Sequence, residues 1–128
     1  MSEENVEAVR KVSDAMARDN LDDVLRRCDP DVVYKPAQEA ATYGQQGLRK
    51  ALERWGSDIE RLELVTEELL DAGDRVVLTI SLRGRGRSSG AEIFARFYEV
   101  FELRDGAILR WEEFSDRGPA LEAAGLSE

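Results

Sequence analysis

The sequence predicts an α+β domain, a strongly curved antiparallel sheet with helices packed on its concave side. Three observations carry this. Apolar residues recur at helical spacing in the first third of the chain, the period changes to two from Ile59 onward, and turn signals separate the later segments into long strands.

The elements follow in order. Val6, Val9, Val12 and Met16, with Ala8 and Ala15, mark a helix over residues 3–19 that Ser2 or Glu3 opens. Asp19-Asn20 ends it and caps a second helix from Leu21 to about Cys28. Asp29-Pro30-Asp31 reads as a turn, and Val32–Lys35 as a short strand stopped by Pro36. After a polar loop to Gly44, a third helix covers about Gln46–Trp55, with Leu48, Leu52 and Trp55 on one side. Leu62, Leu64 and then Glu67–Leu70 form a strand ending at Asp71–Asp74. Val76, Leu78, Ile80 and Leu82 alternate in the next. A Gly-spaced hairpin leads to a strand over 91–104, and Asp105-Gly106 is a tight-turn signal. A last strand runs from about Ala107 to Ser115, and Gly118-Pro119 starts a short helix that ends at Gly125.

Composition narrows the function. At 128 residues, the chain reads as one domain, residues 1–128, with 42% hydrophobic and 35% charged residues, a soluble globular balance. No apolar run is long enough to span a bilayer, and the acidic N-terminus carries no secretory or transit signal. One cysteine, Cys28, allows no intrachain disulfide, so a cytoplasmic location is the expectation. Placed on a helix, Cys28 reads as a small buried hydrophobe. The net charge of −9 disfavours nucleic acid and anionic membranes, and Arg83-Gly-Arg-Gly-Arg87 reads as a solvated hairpin end. There is no histidine. Triads built on imidazole and His-ligated zinc are therefore excluded, and proton transfer falls to carboxylates, lysine or tyrosine. The carboxylates show no ligand spacing, so neither a metal nor any other cofactor is expected.

Alternation defines an inward set: Leu78, Ile80 and Leu82; Ala95, Phe97, Glu99 and Phe101; Leu109, Trp111, Glu113 and Ser115. Val12, Met16, Leu52 and Trp55 close the cavity from the helices, and Lys35 points in from the rim. A carboxylate at Glu99 between two phenylalanines implies that this face lines a cavity. The expected ligand is a small, flat hydrophobic molecule with one or two oxygens. Burial and a second carboxylate would raise a carboxyl pKa toward neutrality, which suits acid/base work. The alternative pairs Lys35 with Glu99 or Glu113 and keeps both charged. A register one residue off would instead turn Tyr98, Glu112 and Phe114 inward.

Glu4–Val9, Asp19–Asp23, Asp29–Asp31, Tyr43–Leu48, Asp71–Arg75, Arg104–Ile108 and Ala120–Leu126, taken in series over nearly the whole chain, resemble the SnoaL-like branch of the NTF2-like superfamily. That resemblance implies a cone-shaped, cystatin-like α+β barrel, often a homodimer through the outer sheet face, here with Phe94, Tyr98 and Phe114. Polyketide cyclases, ketosteroid isomerases, epoxide hydrolases and dehydratases share the fold. Glu113 matches the cyclases' aspartate and Glu99 their assisting histidine. Glu99 also matches the isomerases' protonated oxyanion acid, whereas Lys35 and Val12 stand where their base and tyrosine would be. The expectation is Glu113 as general acid/base with Glu99 and Lys35 assisting, in isomerisation, cyclisation or dehydration. A ligand carrier without turnover and a dimeric scaffold are the competing readings.

Overall fold

The computed structural model describes residues 2–127. Helices α1 (Ser2–Ala17) and α2 (Leu21–Arg26) precede β1 (Cys28–Lys35), β2 (Thr42–Tyr43), α3 (Gly44–Asp58), β3 (Ile59–Ala72), β4 (Arg75–Gly86), β5 (Glu92–Arg104), β6 (Ala107–Phe114) and α4 (Arg117–Ala123). Local chemistry sets the boundaries. Asp19, at φ 55°, ends α1 in the left-handed region, and the Asn20 side chain accepts the Asp23 N–H at 3.1 Å to cap α2. Asp105 and Gly106 both take positive φ, the conformation that a two-residue hairpin between right-twisted strands requires.

The six strands form one curved mixed sheet in the order β2-β1-β6-β5-β4-β3, open at β2 and β3 and not closed into a barrel. All neighbours are antiparallel except β1 and β6, which run parallel. That pairing departs from the all-antiparallel expectation. It arises because α3 and four strands intervene between β1 and its partner. Register shifts between Glu60 and Glu63 and between Thr66 and Glu68 bend β3 along β4, as bulges do.

One face of the sheet packs on α1 and α3 through Val9, Val12, Leu48, Leu78, Phe101, Ile108 and Trp111, all essentially inaccessible to water. The other face carries a smaller cluster in which Val77 and Val100 are covered by Ala120, Leu121 and Ala124 of the α4 segment. The C-terminal helix is thus not on the concave side with the others. Alternation along β4 and β5 sends Val77 and Val100 away from Leu78 and Phe101, and α4 follows this second apolar patch.

Other expectations need local correction. Cys28 is the first residue of β1, not part of α2. It is buried, its Sγ donates to the Val24 carbonyl at 3.4 Å, and desolvation pushes its thiol pKa up to about 12, which leaves it inert. Asp29-Pro30-Asp31 lies within β1, where the register with β6 breaks, and the Asp29 side chain accepts the Asp31 N–H at 2.9 Å. Between Glu102 and Leu103 another irregularity sets Ile108, rather than Leu109, opposite Leu103 and into the core. Among the described residues, no helix is long and apolar enough to cross a membrane.

Candidate functional site

Cross-strand pairing builds the site. On β4, β5 and β6 the register aligns Leu78 with Glu99 and Glu99 with Glu113, with Phe101 opposite Trp111 one step below. Directly opposed residues bring their side chains to about 5 Å. The two carboxyls therefore meet on the helix-facing side, 5% and 8% exposed. The Trp111 indole Nε1–H donates to Glu99 Oε1 at 2.6 Å, and the Ala37 N–H approaches Glu113 Oε1 at 3.4 Å.

Tyr34 completes the cluster. It stands on β1 beside Trp111 in the parallel register and meets that ring edge-on at 5.3 Å. Trp55 and Glu113 are the polar neighbours of the Tyr34 hydroxyl. Around the acid pair stand Trp111, which donates to Glu99, and Tyr34 with Trp55 on the side of Glu113.

Electrostatics make the two acids unequal. Burial first, then the nearby Glu113 charge, pushes the Glu99 pKa up to about 8, against the opposing pull of the Trp111 N–H. Glu113 is also raised by burial, but hydrogen bonds from Ala37, Tyr34 and Glu99 pull it back. The bond between the acids favours the proton on Glu99, with Glu113 accepting. The proton of the pair is thus biased toward Glu99, with Glu113 beside it as acceptor. Burial raises the Tyr34 hydroxyl further, so it remains a donor.

A cavity of about 80 Å³ opens beside the pair. Met16, Trp55, Ile80, Phe97, Trp111, Glu99 and Glu113 line it. Val12, Leu78 and Phe101 do not. They are fully buried in the solid core, in one cluster with Val9, Ile108 and Trp111. Ser115 lies beyond the end of β6 and is exposed, so it leaves the site. Lys35 is also corrected. It pairs in register with Glu112, on the face of β1 opposite to Tyr34, and its Nζ donates to the Pro36 carbonyl at 2.6 Å. The phase of Val32-Val33-Tyr34-Lys35 is ambiguous because three of its four residues are apolar or aromatic. Burial of Val32 and Tyr34 sets it. With Lys35 elsewhere, the Glu99–Glu113 pair has no lysine within it. Tyr34, Leu62 and Leu64 belong to the cavity wall although alternation on the later strands did not point to Tyr34. The signal for it was the Val32/Tyr34 spacing.

Among the described residues, no group of three or more acidic or cysteine side chains is placed to hold a metal ion. The outer-face aromatics also separate. Tyr98 and Phe114 pack at the edge of the α4 cluster, while Phe94 remains 57% exposed under the guanidinium groups of Arg83 and Arg96.

An open curved sheet with helices over one face is the NTF2-like architecture, here with a buried acid pair beside an apolar cavity. The chain belongs to the SnoaL-like domain family, whose model matches residues 9–111. The matched span includes Tyr34, Glu99 and Trp111 and ends two residues before Glu113. Structural likeness agrees. A protein of Jannaschia sp. CCS1 assigned as a SnoaL-like polyketide cyclase superposes with a TM-score of 0.82 at 26% identity, over 90% of this chain and 87% of that one. An NTF2-like protein of unknown function from Burkholderia pseudomallei gives 0.80 at 21% identity, over 96% of each chain. An LEH-like epoxide hydrolase of M. tuberculosis gives 0.74 at 20% identity, over 90% and 84%. No curated protein sequence matches the chain significantly.

Proposed function

We propose that the protein binds a small, largely apolar, oxygen-bearing molecule in the cavity and moves a proton on it without a cofactor. The buried Glu99–Glu113 pair, directly opposed across β5 and β6, carries this reading. Glu113, in its carboxylate form, acts as general base. Glu99, still protonated at neutral pH, donates a hydrogen bond toward oxygen charge that develops on the substrate. Tyr34 orients Glu113 and supplies a second donor. The reaction class is proton abstraction next to a carbonyl, leading to isomerisation, cyclisation or dehydration. Similarity to a SnoaL-like polyketide cyclase assignment supports the class of chemistry and leaves the substrate open.

The test is hydrogen–deuterium exchange at the α-carbon of cyclic ketones and enones, followed by NMR in deuterated buffer. Glu113→Gln is expected to lower the exchange rate by about 10²–10⁴-fold and to leave the binding of these uncharged probes intact. Exchange that survives in this variant overturns the role of Glu113. A ligand that binds without exchanging returns the protein to the carrier reading.

The same proposal includes a homodimer through the outer sheet face, centred on exposed Phe94 and on Val65, which is 50% exposed. Phe94→Glu is expected to dissociate it in sedimentation equilibrium. An unchanged mass excludes that face.

A further inference from the structure

Two cavities meet at the same four residues. The inner one holds the acid pair. An outer one of about 270 Å³ lies between the loop after β1 and α3, walled by Pro36, Ala37, Glu39, Arg54 and Asp58. Tyr34, Trp55, Phe97 and Glu113 line both. The junction is therefore three aromatic rings and one carboxyl group. Its rings are fixed: Trp55 meets Phe97 edge-on at 5.8 Å and 74°, and Tyr34 is locked against Trp111.

The charges around the junction are one-sided. The groups that bond Glu113 are the Ala37 N–H, the Tyr34 hydroxyl and Glu99, and none is a cation. Lys35, on the far face of β1, does not reach it. Arg54 in the outer wall is bound to both oxygens of Glu39, at 3.1 and 3.3 Å. Asp58 adds a further carboxylate to that wall, and Asp19 stands at the rim of the inner cavity. An anionic ligand meets repulsion from these groups and from a chain of net charge −9. A neutral ligand gains only apolar contact and leaves the Glu113 carboxylate desolvated without a counter-charge. A monocation offsets that charge and is attracted by the ring faces at the same time.

We propose that the junction of Tyr34, Trp55, Phe97 and Glu113 binds a small alkylammonium group, tertiary or quaternary, carried by the ligand. This rests on the reading of the cavity as the ligand site and names the chemical class it selects. The alkyl groups contact the rings, and the positive charge faces Glu113. A quaternary nitrogen suits the junction better than a primary one, because it has no N–H bonds that an aromatic wall would leave unsatisfied.

Calorimetric titration with choline and with its uncharged isostere 3,3-dimethylbutan-1-ol tests this. Choline is expected to bind at least ~10-fold more tightly, the factor that roughly one and a half kilocalories would supply. Glu113→Gln is expected to erase most of that preference while leaving the affinity for the alcohol within about twofold. Trp55→Leu is expected to weaken choline more than the alcohol, and far-UV circular dichroism establishes that both variants fold. Equal affinities for the two probes, or a preference that persists in Glu113→Gln, overturn the alkylammonium site. If the alcohol binds and choline does not, the cavity remains the ligand site and only its charge preference falls. If neither binds, both readings fall.

Discussion

Replacing Glu99 by glutamine is expected to flatten the dependence of stability on pH. Glutamine keeps the volume and the hydrogen bonds: its amide oxygen accepts from Trp111, and its amide nitrogen donates to Glu113. What it removes is a titrating proton. In the unfolded chain Glu99 titrates near 4.5, and in the folded protein near 8. A raised carboxyl pKa means that the folded state holds the proton more tightly. Its stabilising effect is complete below the unfolded value and is lost as pH rises through the folded one. Each pH unit between them removes about 1.4 kcal/mol, so this group takes away ~4 kcal/mol between pH 5 and pH 8. Against the ~5–15 kcal/mol total of an ordinary domain this is a large share. Urea unfolding followed by tryptophan fluorescence at pH 5, 6, 7 and 8 measures it, with constant m-values as the control. Glu113 is shifted in the same direction, so the variant retains a shallower slope and does not become flat. Parallel profiles for the wild type and Glu99→Gln would refute the reasoning, because they would place the protonated acid elsewhere or nowhere.

Other outcomes follow from single contacts. Trp111→Phe removes the donor to Glu99 and is expected to raise the Glu99 pKa further, read by carboxyl-carbon NMR titration, with a loss of ~1–3 kcal/mol in stability. Thr79 Oγ1 is buried with no hydrogen-bond partner among the described residues. Thr79→Val keeps the shape and is expected to stabilise the fold by ~1 kcal/mol in urea melts. At Gly84 an added Cβ would lie 2.5 Å from Ile59 Cγ2 and 3.2 Å from the Glu60 carbonyl oxygen. Gly84→Ala is therefore expected to cost ~1–3 kcal/mol by the same assay and to loosen the β3–β4 pairing.

Much of the framework was legible where the signal is local. The Asn20 cap, the Asp105-Gly106 turn and the period-two runs on β4, β5 and β6 depend on residues within a few positions of one another. Alternation with Phe97 and Phe101 as markers put Glu99 on the helix-facing side, and Glu113 followed from Trp111. Where the pattern offered no phase, as in Val32–Lys35, or where an irregular residue broke it, as at Leu109, the reading slipped by one position. A slip of one residue on β1 is enough to exchange Lys35 for Tyr34, and so an ammonium for a phenol in the site.

The sequence by itself determined the two-layer α+β character, the absence of imidazole chemistry and the presence of two acids on an apolar sheet face. These are properties of short windows and of composition. Only the tertiary structure decided that β1 lies parallel to β6, which brings Tyr34 to the acid pair. Only it decided that Leu78 and Phe101 join Val9 and Val12 of α1 in a solid core, while Trp55 of α3 lines a cavity. It also set α4 on the opposite face, over Val77 and Val100. Alternation tells which way a side chain points. What covers it depends on elements tens of residues away in sequence, and that covering decides whether a buried glutamate is a core defect or a working acid.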